Sequence, residues 1–219
     1  MKRIVDLSHL IEDGMTTYPG LPGPHICDFW TREASASSYD DGSSFQIGRI
    51  EMVANTGTYI DAPFHRYSDR ADLADLPLPS LAELPGIVVR QPFETSIAVD
   101  VAAFGGLEVS GKAVLVHTGW DRHWRTDRYG EGHPFLTAAA ADWLVEHGAA
   151  FVGIDSNNID DTRQRARPVH TKLLGADIPI CEHMTGLGQL PDYSFRFSAA
   201  PPKVRGMGSF PVRAYAVLD

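Results

Sequence analysis

Short apolar runs broken by Gly and Pro set the rhythm of this 219-residue chain. Residues 4–7, 45–53, 86–89, 113–117, 150–154 and 213–218 read as strands, the second with partial alternation. The pattern changes period once, over residues 137–147. There Thr137 is placed to cap a helix, Ala140, Trp143 and Leu144 fall on one face, and Gly148 stands at the C′ position. A second, shorter helix is predicted over residues 170–174. Strand 113–117, the first helix and strand 150–154 form a strand, helix, strand unit, which requires a parallel pair. The remainder reads as a β-rich meander. The expectation is therefore an α/β fold with a mixed sheet and a few packed helices, in one domain spanning residues 1–219. The Pro-rich stretch 76–85 reads as a connection within it.

Composition removes some function classes. Hydrophobic residues make up 43% and charged residues 21%, enough for an ordinary core. The formal net charge of −9 argues against a nucleic-acid partner, which needs clustered Lys and Arg. The interrupted basic stretch from Arg163 to Arg167, just after Asp160 and Asp161, reads as a solvated loop. The N-terminal residues lack the apolar core of a signal peptide, and no apolar run reaches about 18 residues, so no membrane partner and a cytoplasmic location are expected. Cys27 and Cys181 are far apart and read as reduced thiols.

Candidate chemistry gathers in two places. Asn55-Thr-Gly-Thr-Tyr-Ile-Asp61-Ala-Pro-Phe-His65 follows the strand expected to end near Val53, with Gly57 free to turn left-handed and Pro63 stiffening the exit. Asp61 and His65 can then converge on one point. Downstream, Asp155 and Asp160 follow another apolar strand, and His170 and Glu182 come after them. Carboxylates with imidazoles suit zinc and similar ions, although spacing alone does not distinguish ligands from satisfied loop residues. His9 reads as ordering the N-terminal strand. His117, His123 and His133 flank the Thr118-Gly-Trp120 loop, and one of them could approach the site. His183, next to Glu182, would point to the opposite face of an extended segment.

The segment from Asn55 to His65 resembles the His-x-Gly-Thr-His-x-Asp-x-Pro-x-His signature of the cyclase family, which includes bacterial kynurenine formamidases and isatin hydrolases. The resemblance extends to Asp6-Leu-Ser-His, Tyr18-Pro-Gly, Gly153-Ile-Asp155, His170, Glu182 and Pro211-Val-Arg-Ala. It implies a mixed sheet with barrel-like curvature and flanking helices, of the swivelling β/β/α kind, and a homodimer or homotetramer. In two-metal relatives the resemblance implies that the first ion is held by the signature's first two histidines and its aspartate. The second is held by that aspartate with a downstream His and Glu. Carried over, Asp61 bridges, His170 and Glu182 complete the second site, and His65 transfers protons. Asn55 and Tyr59 occupy the positions of the two missing histidines, so the first site should be lost or weakened.

One divalent ion, zinc or manganese, is therefore expected on Asp61, His170 and Glu182. The expected activity is hydrolysis of a small amide, formamide, lactam or lactone, with metal-activated water as nucleophile and His65 as general acid and base. Asn55 and Tyr59, with Trp30 and Phe45 as aromatic wall, are the substrate-binding candidates. A dehydratase or cyclase using the same acid and base, or a binding protein that has lost catalysis, are the alternatives.

Overall fold

A computed structural model describes residues 2–218. In chain order its strands are β1 (Arg3–Asp6), β2 (His25–Trp30), β3 (Ile47–Glu51), β4 (Tyr59–Asp61), β5 (Leu84–Arg90), β6 (Ala98–Val99), β7 (Ala113–His117), β8 (Phe135–Leu136), β9 (Phe151–Ile154), β10 (Ile180–Glu182), β11 (Phe195–Ser198), β12 (Ser209–Pro211) and β13 (Tyr215–Leu218). The helices are α1 (Arg32–Ala36), α2 (Ala138–Glu146) and α3 (Pro168–Gly175). Nine strands form one curled mixed sheet in the order β1-β13-β11-β5-β7-β9-β10-β4-β12.

The centre of that sheet is parallel: β5 with β7, β7 with β9 and β9 with β10. Its strands are apolar on both sides, as strands covered on two faces must be. Val114 and Val116 of β7 and Val152 and Ile154 of β9 join the core beneath α2 and α3, which also holds Leu144, Val169 and Leu173. Their neighbours Ala113, Leu115 and Phe151 face a second core with Phe197, Ile60 and Cys181.

The predicted strand, helix, strand unit is β7, α2, β9. Thr137 Oγ1 accepts the Ala140 N–H at 3.1 Å, and Gly148 ends the helix at φ +72°, a left-handed conformation that a side chain would strain. Ala140 and Leu144 are buried as expected, while Trp143 is only partly so and stacks on Phe104 and His147.

One expectation is corrected. The apolar stretch around residues 45–53 belongs to β3, which pairs with β2 in a separate two-stranded sheet and does not carry the site. The site aspartate sits instead on its own three-residue strand, β4, held antiparallel between β10 and β12.

Candidate metal centre

Sheet register puts the site together. Glu182 lies opposite Tyr59, and Ser209 lies opposite Asp61. Cross-strand partners share a face, as do residues two apart on a strand, so Tyr59, Asp61, Glu182 and Ser209 project from one side. Ile60, Cys181 and Phe210 project from the other side into the core. The turn that delivers β4 uses Gly57 at φ +64°, whose N–H donates to Thr17 Oγ1 at 2.9 Å.

Helix α3 supplies the imidazole. Asp160 fixes its start: Oδ1 accepts the Val169 N–H at 2.8 Å, and Oδ2 accepts the His170 N–H at 3.0 Å. The same Oδ2 takes His170 Nδ1 at 2.6 Å, which turns Nε2 toward the sheet. That nitrogen lies 3.6 Å from Asp61 Oδ2 and 3.6 Å from Glu182 Oε1. A carboxylate behind a histidine is the usual support for a metal ligand, because it sets the tautomer and aims the ring.

Two further observations favour a cation at this point. Asp61 is fully buried, and its Oδ2 has no hydrogen-bond partner among the described residues. An orphan carboxylate oxygen in the interior is costly unless a cation or proton meets it. Burial opposes a charged His170 ring, yet Glu182, Asp160 and Asp61 outweigh it and raise its pKa to about 10. Burial likewise pushes Glu182 up to about 6, against the pull of His170. Positive charge is thus favoured at His170, between two carboxylates. Asp61, His65 and His170 each offer a ligand atom within 4.8 Å of the others.

His65 follows β4 on a short helical turn and is about a third exposed. Its Nδ1 lies 2.9 Å from Ser209 Oγ, and Ser209 donates to Asp61 Oδ1. With the serine proton committed to the carboxylate, His65 Nδ1 is the donor to Ser209, which leaves Nε2 a free acceptor. Ser209 is a supporting residue that sequence reasoning missed, and Asp160, read there only as an acid after an apolar strand, is given its supporting role by the structure. Asp160 had a signal, an acid just ahead of a helix bearing a candidate ligand; Ser209 had none.

Where the missing histidines would stand, the chemistry differs. The Tyr59 hydroxyl donates to Glu182 Oε2, and Tyr18 OH lies 2.8 Å from Tyr59 OH while donating to the Asn157 carbonyl at 2.7 Å. Both phenols are held protonated, first by burial and then by the Glu182 charge. Glu182 Oε1 also accepts the Ile159 N–H at 2.6 Å. Tyr59, Asn55, His65, His170 and Glu182 open onto a cavity of about 420 Å³, with Tyr18, Leu21 and Asn158 among its other walls.

The remaining candidates lie elsewhere. Trp30 and Phe45 pack edge to face with their ring centres 4.9 Å apart, beside the β2–β3 hairpin, and are not among the described residues lining the cavity. His9 stacks on Trp124 at 4.1 Å, and its backbone N–H donates to Thr58 Oγ1 at 2.9 Å, contacts that order the N-terminal segment. His117 lies 3.9 Å from Asp155, His123 packs on Trp120, and His133 bonds Thr162; none of the three lines the cavity. His183 adopts φ +54°, so the extended geometry behind its expected opposite-face direction does not hold; its buried ring packs against Tyr18, Tyr59 and Tyr129 and does not line the cavity.

The sequence model of the cyclase family matches residues 5–161. The chain belongs to the cyclase family. Among its relatives, the kynurenine formamidase of Geobacillus thermodenitrificans is 28% identical over 213 residues, covering 96% of this chain and 95% of that one. The kynurenine formamidase of Erythrobacter litoralis is 26% identical over 207 residues, 93% of this chain and 88% of that one. Isatin hydrolase A from Labrenzia aggregata, solved with benzyl benzoate bound, superposes with a TM-score of 0.85 at 20% identity, over 99% of this chain and 94% of that chain. This cyclase-family protein shares their fold, and it is a hydrolase of that family. No helix among its described residues is long and apolar enough to cross a membrane.

Proposed function

We propose that this protein hydrolyses a carbon–nitrogen or carbon–oxygen bond beside a carbonyl in a small amide, formamide, lactam or lactone, with one divalent ion, zinc or manganese, held by Asp61, His170 and Glu182. The observation that carries this reading is the buried, unpartnered Asp61 Oδ2 facing His170 Nε2 at 3.6 Å. The donor set of two carboxylates and an imidazole suits either metal. The names of the relatives, kynurenine formamidase and isatin hydrolase, support the bond type.

One ion is favoured over two because Asn55 and Tyr59 offer an amide and a protonated phenol where imidazoles would be needed, and Tyr59 already donates to Glu182. Bound there, a divalent cation would polarise a carbonyl and lower the pKa of water toward neutrality. The chain's own residues do the rest. His65 Nε2 faces the cavity as an acceptor, takes a proton from the attacking water, and returns it to the leaving group. Ser209 keeps that ring aimed through its bond to Asp61 Oδ1. Asn55 and Tyr59 line the cavity beside the reacting carbonyl, the Asn55 amide as hydrogen-bond donor and the Tyr59 ring as a wall.

The same reading includes a homodimer or homotetramer. The β2–β3 hairpin exposes Ile26, Phe29, Ile47 and Ile50, and a two-stranded sheet with bare apolar side chains calls for a cover, here a second copy. Both cysteines are free, in keeping with the cytoplasm. Elemental analysis of wild type, His170→Ala and Glu182→Ala, with turnover of a formamide and lactone panel, tests the proposal. About one ion per wild-type chain, lost together with turnover in both variants, is expected; a wild-type protein that stays free of metal after incubation with zinc or manganese refutes it.

A further inference from the structure

Two arginines stand at the mouth of the cavity, Arg66 and Arg167. Several arginines elsewhere are neutralised, with Arg70, Arg90, Arg163, Arg205 and Arg213 each bonding an Asp side chain, while others such as Arg3, Arg128 and Arg196 are not but lie outside the cavity. Arg66 and Arg167 have no carboxylate partner among the described residues. The interrupted basic stretch read as a solvated loop thus divides: Arg163 bonds Asp161 in solvent, whereas Arg167 is half-buried at the rim.

Both are held in place by neutral groups. Arg66 Nε donates to Thr171 Oγ1 at 3.2 Å, and Thr171 Oγ1 donates to the Arg167 carbonyl at 2.8 Å, so one hydroxyl ties both residues to the start of α3. Arg167 Nη1 is occupied by the carbonyls of Gln164 and Ala166. Both terminal nitrogens of Arg66, and Nε and Nη2 of Arg167, remain without partners among the described residues. Guanidinium groups anchored by part of their fork and free on the rest suit bidentate capture of a carboxylate. The only acid among the described lining residues, Glu182, is at the buried end with its oxygens bonded to Tyr59 and Ile159. The walls are therefore cationic at the mouth and acidic only at the ion-binding floor.

We infer that the substrate is an organic acid: a small amide or lactone that carries a carboxylate remote from the scissile bond, received by Arg66 and Arg167 while the carbonyl lies by His65 and His170. This assignment rests on the hydrolase reading for the chemistry, though not for the binding. The clamp would orient the substrate and draw anions toward a protein whose net charge of −9 otherwise repels them.

The test compares carboxyphenyl formamides with their methyl esters, on wild type, Arg66→Gln and Arg167→Gln. Wild type should favour the acids by about tenfold or more in kcat/KM. Each variant should lose most of that preference through KM while hydrolysing the esters as before. Equal use of acid and ester by wild type, or a preference untouched by both variants, overturns the proposal. Benzoate and benzamide binding to chelator-treated protein, followed by calorimetry, separates the two readings. If nothing in the formamide and lactone panel is turned over, the hydrolase reading fails, yet benzoate binding that is lost in the two variants still supports the clamp; benzoate that binds no better than benzamide overturns it.

Discussion

Asp61 and Asp155 are both fully buried aspartates at strand ends, and they are spent differently. Asp155 accepts the Thr118 N–H at 2.8 Å, the Thr118 hydroxyl at 2.6 Å and the Gly119 N–H at 2.8 Å, fastening the loop after β7 to the end of β9. Asp61 accepts one serine proton and leaves Oδ2 bare before His170. Burial and residue type are the same in the two places; unused acceptor capacity is what separates a ligand from a fastener.

The largest expected effects test that separation directly. Asp61→Asn should abolish ion binding and lower turnover by roughly a thousandfold or more, with the melting temperature of the metal-free protein little changed. Asp155→Asn should retain the ion and cost about 1–3 kcal/mol, because its amide group would confront N–H donors. Elemental analysis beside thermal melts checks both, and a swap of the two phenotypes would dissolve the comparison. The supporting residues come next. Asp160→Asn should weaken ion affinity by about 10- to 100-fold. Ser209→Ala should leave ion content intact and lower kcat about tenfold, since His65 would lose its aim.

The smallest effect is in the pH dependence of stability. Burial lowers the pKa of His9 to about 4, so its folded form stays neutral while the unfolded chain takes up a proton near 6.5. Its stabilising contribution is complete above pH 6.5 and is lost as pH falls toward 4. Burial raises the pKa of Asp155 to about 7, against the bonds from Thr118 and Gly119. Its contribution has the opposite sign, present below its unfolded value of 3.8 and lost as pH rises to 7. Unfolding free energies between pH 4 and 7 should therefore respond oppositely: His9→Gln lowers acid lability, and Asp155→Asn steepens it, each by at most about 1.4 kcal/mol per pH unit.

Elements long enough to show a period were legible. Strand β7, helix α2 and strand β9 could be read because unbroken apolar runs, a capping threonine and a terminal glycine agree. Strands β4, β10 and β12, three residues each, carry no period; their pairing with one another makes them strands. The apolar run over β3 misled for the same reason, since a hairpin lying apart from the main sheet can be as apolar as a core strand. Asp61, His65, His170 and Glu182 were found through the family signature, and the structure brings all four to one place. Asp160 was read only as an acid after a strand and Ser209 not at all, because a supporting hydrogen bond leaves no spacing to read. Trp30 and Phe45 were chosen as large apolar residues, and they found each other.

The pairing of β4 with β12 also bears on how the molecule folds. Ser209 and Asp61 touch across 148 residues of chain, and His170 reaches the same point from a separate helix. Contacts so distant in sequence close late, after the loops between them have been ordered. A cation that needs this assembled pocket meets its ligands only near the end of the folding route. It would leave the rate of folding nearly unchanged and slow unfolding, acting as a latch on the finished protein.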